Sequence, residues 1–115
     1  MNDLARDVLA EAGLKGTKQV QGAFGRGDGR CAIGVLAESL GVLRCSPWVY
    51  LNFDGSDSTA WDLDLDGWDK IRKVYELSPE DEQEIVQAND KLGWDFLTIS
   101  RKCGNGVQEE VAKEA

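Results

Sequence analysis

The sequence contains no histidine, and its three cysteines, Cys31, Cys45 and Cys103, are too far apart to form a C-x-x-C pair. Without imidazole, the commonest general base and a standard zinc ligand are both missing. A nucleophilic Cys31 would therefore have no histidine to activate it. An odd, scattered set of thiols fits reduced cysteines in a cytoplasmic setting. No apolar run is long enough to cross a membrane, and the N-terminal stretch lacks the charged-then-apolar pattern of a signal peptide. Positive charge is also scarce, with 13 Lys+Arg against 21 Asp+Glu and a net charge of −8. The deficit is one-sided: residues 1–45 hold six basic and five acidic side chains (+1), and residues 46–115 hold seven and sixteen (−9). That balance disfavours direct nucleic-acid binding and an anionic membrane surface; it permits a basic partner or a protein that imitates a nucleic acid's charge, and acidity that keeps a small protein soluble explains it more commonly.

What is present is organised around residues 22–41, GAFGRGDGRCAIGVLAESLG. Ile33, Leu36, Ala37 and Leu40 recur at helical spacing, with Cys31, Ala32 and Val35 widening the apolar face. The pattern predicts a buried helix over 31–40, leaving only Arg30, Glu38 and Ser39 to solvent, with Gly41 as its stop. Gly34 inside that helix costs about 1 kcal/mol against alanine, a cost that close approach of another backbone could offset. Ahead of it Gly25, Gly27 and Gly29 alternate with Arg26, Asp28 and Arg30. Backbone N–H groups and a helix N-terminus there, with Lys15, Lys18, Arg26, Gly27, Gly29 and Arg30 around them, could hold a nucleotide or other phosphate. The spacing is not that of a P-loop, and a glycine turn serving positive φ explains it equally.

The remaining elements read in order. Asn2 or Asp3 caps a first helix with Leu4, Val8 and Ala12 on one stripe, Ala5 and Leu9 beside it, and Gly13 as its end. Residues 14–24 form an extended connection with Val20 and Phe24 turned inward. Residues 42–47 read as a linker and 48–53 as the best strand. After a polar turn at 54–58, Trp61, Leu63 and Leu65 alternate with Asp62, Asp64 and Asp66, which predicts the second strand of a hairpin. Asp66 stands as cap of a short helix bearing Trp68, Ile71, Val74 and Tyr75, and Leu77 closes it. Ser78-Pro79-Glu80-Asp81 opens a stronger helix with Ile85, Ala88, Asn89 and Leu92 on one face and Gly93 as its stop. Asp95 caps a last helix with Phe96, Ile99 and Cys103 inward, Trp94 and Ile99 as a hydrophobic staple, and Gly104 as its end. The sum is a mainly α (α+β) domain over 1–104, with four to five helices, a small antiparallel β-hairpin and a charged, fraying tail over 105–115.

Three groups of residues invite chemistry. Asp62-x-Asp64-x-Asp66-Gly67 opens like a calcium loop, but Asp69 and Lys73 fall where an aliphatic residue and a bidentate glutamate belong. The same aspartates with Asp54, Asp57 and Asp69 make six acids within sixteen residues, interleaved with Trp61 and Trp68. Nothing nearby would split their pKa values for acid–base hydrolysis, so no catalytic residue is assigned and no cofactor is expected. An acidic surface flanked by tryptophans suits a protein contact better, although those tryptophans also fit a core. Cys31 beside Arg30 at a helix start has the setting of a lowered thiol pKa, but reads better as a small buried packing group. Asn89 on an apolar face needs a partner, for which the turn after its helix is the nearest source.

Residues 19–24 (QVQGAF), 28–36 (DGRCAIGVL) and 85–90 (IVQAND), followed by Asp95, Phe96 and Ile99, resemble a family of small proteins from tailed bacteriophages and prophages. That family carries a QG-x-G-x-L segment, a C-x-LGVL helix and a late LND…F-x-x-I helix pair. Its anchors look like fold determinants, and it brings no activity to transfer. The resemblance implies a non-enzymatic accessory protein in the cytoplasm of a host bacterium. Such a protein would bind a host protein through Asp54, Asp57, Trp61, Asp62, Asp64, Asp66, Trp68 and Asp69, for instance as an inhibitor of host defence. The alternative is a nucleotide- or phosphate-sequestering protein using the basic turn.

Overall fold

A computed structural model describes residues 1–51 and 54–104, the side chains of residues 48 and 50 apart. The expected tail at 105–115 and the end of the expected strand at 52–53 lie outside the described residues. Five helices and four strands are present among the described residues, an α+β fold. They run α1 (Asp3–Leu14), β1 (Gly25–Arg26), β2 (Gly29–Arg30), α2 (Ala32–Ser39), β3 (Leu43–Leu51), β4 (Asp57–Leu63), α3 (Gly67–Tyr75), α4 (Pro79–Asp90) and α5 (Phe96–Lys102).

α2 is the hub. All six residues from Ala32 to Ala37 are buried, so the helix is covered on every side. Its neighbours supply Ala5, Leu9 and Ala12 from α1, Ile71 and Tyr75 from α3, Ile85 and Ala88 from α4, and Phe96 and Ile99 from α5. Gly34 is required by contact, because a Cβ there would overlap the Phe24 carbonyl oxygen. That carbonyl also accepts the Cys31 N–H at 3.2 Å, so the strand-side chain lies directly on the first turn of α2. Gly41 ends the helix with φ +73°, a conformation that side chains resist.

The caps follow the local sequence. Asn2 accepts the Ala5 N–H, Asp95 accepts the Thr98 N–H, and Ser78 with Asp81 forms a reciprocal capping box ahead of Pro79. Burial alone would raise the Asp81 carboxyl. Bonds from the terminal amine and from Ser78 outweigh that cost and hold it below its ordinary value. Asp66 occupies the cap position of α3 but makes no side-chain capping bond.

Other expectations need correction. On α1 the buried stripe is Ala5, Leu9 and Ala12, while Leu4 is half exposed. The face is rotated because it meets α2 and α5 together. Leu92 is exposed, since α4 stops at Asp90 and Leu92 follows the cap. The expected hairpin is part of a four-stranded antiparallel sheet in the order β2-β1-β4-β3. Residues 43–47, read as linker, are the first half of β3, where Leu43, Arg44 and Cys45 pair with Leu63, Asp62 and Trp61. Pro47 lies in the register shift between Cys45 and Val49, which an edge strand tolerates. The alternating strand ends at Leu63. Leu65 lies in the following turn and is 96% exposed, which places Asp64 and Asp66 off the sheet.

Candidate binding surface

In the basic turn, the Arg30 charge is engaged within the fold. Arg30 was expected at the surface, and it is buried. Its Nε and Nη2 donate to Glu38 Oε2 at 3.1 and 2.9 Å, and its Nη1 donates to the carbonyls of Gly27 and Gly29 at 3.0 and 2.7 Å. The guanidinium lies 4.6 Å from the centre of the Trp61 ring, whose Nε1 donates to the same Gly27 carbonyl at 2.8 Å. One cation thus fastens the β1–β2 turn to α2 and to β4. Arg26, Lys15 and Lys18 are exposed, and Lys15 borders a hollow with Glu11 and with Glu38, the carboxylate that Arg30 binds. The main chain of Lys18 pairs with Arg30 along the outer edge of β2.

The N-terminus of α2 is occupied as well. Asn89 Oδ1 accepts the Ala32 N–H at 3.0 Å and the Gln19 Nε2 donor at 2.8 Å. Asn89 Nδ2 donates to the Val20 carbonyl at 2.9 Å and to Asp90 Oδ1 at 2.8 Å. Its partners are therefore the connection at 19–20 and the start of α2, rather than the turn after α4. That turn is reached at one remove, through Gln19 Nε2 donating to the Trp94 carbonyl. Cys31 Sγ accepts the Gly34 N–H at 3.2 Å. Burial pushes the Cys31 thiol up to about 11 against the opposing pull of that N–H, with the charge of Asp90 adding to the rise. The thiol is neutral at ordinary pH and acts as a cap.

The acidic segment divides into two groups. Asp54 and Asp57 belong to the far end of the β3–β4 hairpin, beyond the last residues that β1 covers. Asp54 Oδ1 accepts both the hydroxyl and the N–H of Ser56, and these bonds hold its carboxyl below its ordinary value. Asp57 and Asp62 are five residues apart on β4, about 17 Å along the strand and on opposite faces. The second group, Asp62, Asp64, Asp66 and Asp69, lies where the sheet meets α3. Asp62 accepts the N–H of Leu63, Asp64 stands 3.7 Å from Arg44, and Asp69 stands 3.7 Å from Arg72. Among the described residues no three cysteine or acidic side chains are grouped to hold a metal ion, and Asp62, Asp64 and Asp66 form no cage.

The two tryptophans of that segment are half-buried and mark two hollows on either side of a rib formed by Gly22, Ala23 and Phe24. The first, about 300 Å³, is bounded by Phe24, Ile33, Trp68, Val86, Asn89 and Asp90. Phe24 meets Trp68 edge-to-face, with ring centres 6.0 Å apart and an interplanar angle of 70°. The second, about 350 Å³, is bounded by Val49, Ala60, Trp61 and Asp62. Gly22 N–H donates to Asp90 Oδ1 at 3.1 Å, which ties the rib to the end of α4. The sequence pattern turns Phe24 inward and makes 19–24 and 85–90 anchors of the family resemblance, but it assigns no binding role to the rib, Val86 or Asp90. The available signal was an acid closing a helix whose last turn carries no base.

The chain matches no protein-family model, no characterised protein and no solved structure.

Proposed function

We propose that this chain is a non-enzymatic binding protein that receives a basic protein partner on the face carrying Trp61, Trp68 and the aspartates between them and beside them. The observation that carries the reading is the pairing of two hollows, an apolar one walled by Trp68 and a mixed one walled by Trp61, with a stretch from Asp54 to Asp69 that holds six aspartates and no lysine or arginine. Anchoring hollows beside an excess of one charge suit a protein interface, here with Arg44 and Arg72 as the nearby cations, paired with Asp64 and Asp69. The sequence resemblance to small phage and prophage proteins supports an accessory role inside a host bacterium, with inhibition of a host defence protein as its form. Phosphate holding at the basic turn lacks comparable support, since Arg30 and the Ala32 and Gly34 N–H groups already have partners.

Affinity capture from bacterial lysate tests the reading, using wild type beside Asp62→Lys, Asp64→Lys and Asp66→Lys combined. A basic protein held by wild type, released by salt and lost by the folded variant is the expected result. Equal capture by both proteins overturns it.

A further inference from the structure

The hollow of about 300 Å³ beside Trp68 has a simple electrostatic make-up. Its wall is formed by Gly22, Phe24, Ile33, Trp68 and other uncharged residues, and Asp90 is the one carboxylate in it. The Asp90 carboxylate is fixed through Oδ1, which accepts the Gly22 N–H and Asn89 Nδ2. An ionised carboxylate has acceptor sites beyond these two. No lysine or arginine among the described residues forms an ion pair with it: Arg72 is held by Glu82 with its guanidinium 5.2 Å from the centre of the Trp68 ring, and Lys91, next in the chain, forms none. Asp90 is also the last residue of α4, where the helix dipole is negative and the last turn holds no base. The first N–H groups of α2 face the same hollow, but Asn89 and Cys31 take them.

We propose that this hollow is a socket for one basic side chain, lysine or arginine, its methylene stem lying against Phe24, Ile33 and Trp68 and its cationic head on Asp90. The inference rests on the reading that the partner is basic, and it names the group which that partner inserts. The volume stands at the low end of the range for small-molecule sites, about 300–1,000 Å³, and so suits a single long side chain better than a nucleotide. Long basic side chains bury their stems on apolar surface while the head finds an anion. Phe24 and Trp68 supply that surface, and Asp90 the anion.

The test uses the full chain and two small probes, n-butylguanidinium and its neutral counterpart n-butylurea, followed by amide and indole proton–nitrogen NMR. Saturable shifts at the Trp68 indole N–H and the Gly22 amide with the cation, at least tenfold weaker with the urea, are expected. Asp90→Asn retains an acceptor for Gly22 and should weaken the cation at least tenfold. Val86→Trp keeps Asp90 but fills the hollow, and should also abolish the shifts. Equal response to the two probes overturns the proposal, as does undiminished binding by either variant or a response centred on Trp61. The variant reversed at Asp62, Asp64 and Asp66 should bind the cation like wild type. Loss of the probe in that variant would move the site to the hairpin and overturn the socket. Capture that ignores the reversal, with the probe still bound at Trp68, defeats the wider reading alone. Capture that depends on the aspartates, with no probe bound, defeats the socket alone.

Discussion

The glycine-rich turn and the acidic segment carry opposite charges and put them to opposite use. In the turn, Arg30 is surrounded by acceptors and covered by Trp61, so its charge holds the molecule together. In the segment from Asp54 to Asp69, the acids bond to their own neighbours or to exposed arginines, contacts that are worth little for stability. Charge that looks available in a sequence can be structural, and the charge left over is the part that a partner can meet.

The comparison breaks or sharpens through a graded set of substitutions. Gly34→Ala drives a methyl group into the Phe24 carbonyl, where main chain cannot yield cheaply, and should cost about 3 kcal/mol in a urea titration. A loss below about 0.5 kcal/mol would mean that the turn does not lie on α2 as described. Asn89→Ala strips partners from the Ala32 N–H and the Val20 carbonyl, and should cost about 2–3 kcal/mol by the same measurement. Arg30→Lys keeps the charge but loses the fork on Glu38 and the stacking on Trp61. The expected cost is about 1.5 kcal/mol, with a change in Trp61 fluorescence.

Cys31 predicts a pH dependence. Its thiol keeps its proton in the folded chain up to about 11, whereas the unfolded chain ionises near 9.0, so the unfolded state loses protons first. Stability should be unaffected below 9.0 and fall by about 1.4 kcal/mol per pH unit between 9.0 and about 11. Comparison with Cys31→Ala across that range isolates the contribution. The smallest effect belongs to the acids. Reversing Asp62, Asp64 and Asp66 takes the net charge from −8 to −2, since each change adds two. The urea midpoint should move by no more than about 0.5 kcal/mol of stability, and a large loss would make those aspartates structural after all.

The features legible in the sequence were those decided within a few residues. The Ser78 cap ahead of Pro79, the Asp95 cap and the burial of α2 all follow from local spacing, whereas Gly34 marked a place for close approach without naming Phe24 as the neighbour. What was not legible depends on distant partners. Arg30 reads as a surface cation until Trp61 folds over it. Asn89 reads as a residue serving its own turn until Gln19, Val20 and Ala32 reach it. The first half of β3 has no strand pattern of its own, and it is extended because Leu63, Asp62 and Trp61 pair with it. Leu65 misled in the other direction, since alternation continued for two residues past the point where the strand has neighbours. Of the candidate surface, the tryptophans and aspartates were visible, whereas the rib and Asp90 became visible only once the chain had brought residues 22–24 against the end of α4.

The Asn89 side chain joins groups lying 57, 69 and 70 positions upstream. During synthesis at about 5–20 residues per second, the first N–H of α2 waits roughly 3–11 s for its acceptor to be made. Through that interval the most apolar stretch among the described helices has been synthesised but has no latch. Chaperones, proteases and premature association all have access to it before the lock arrives.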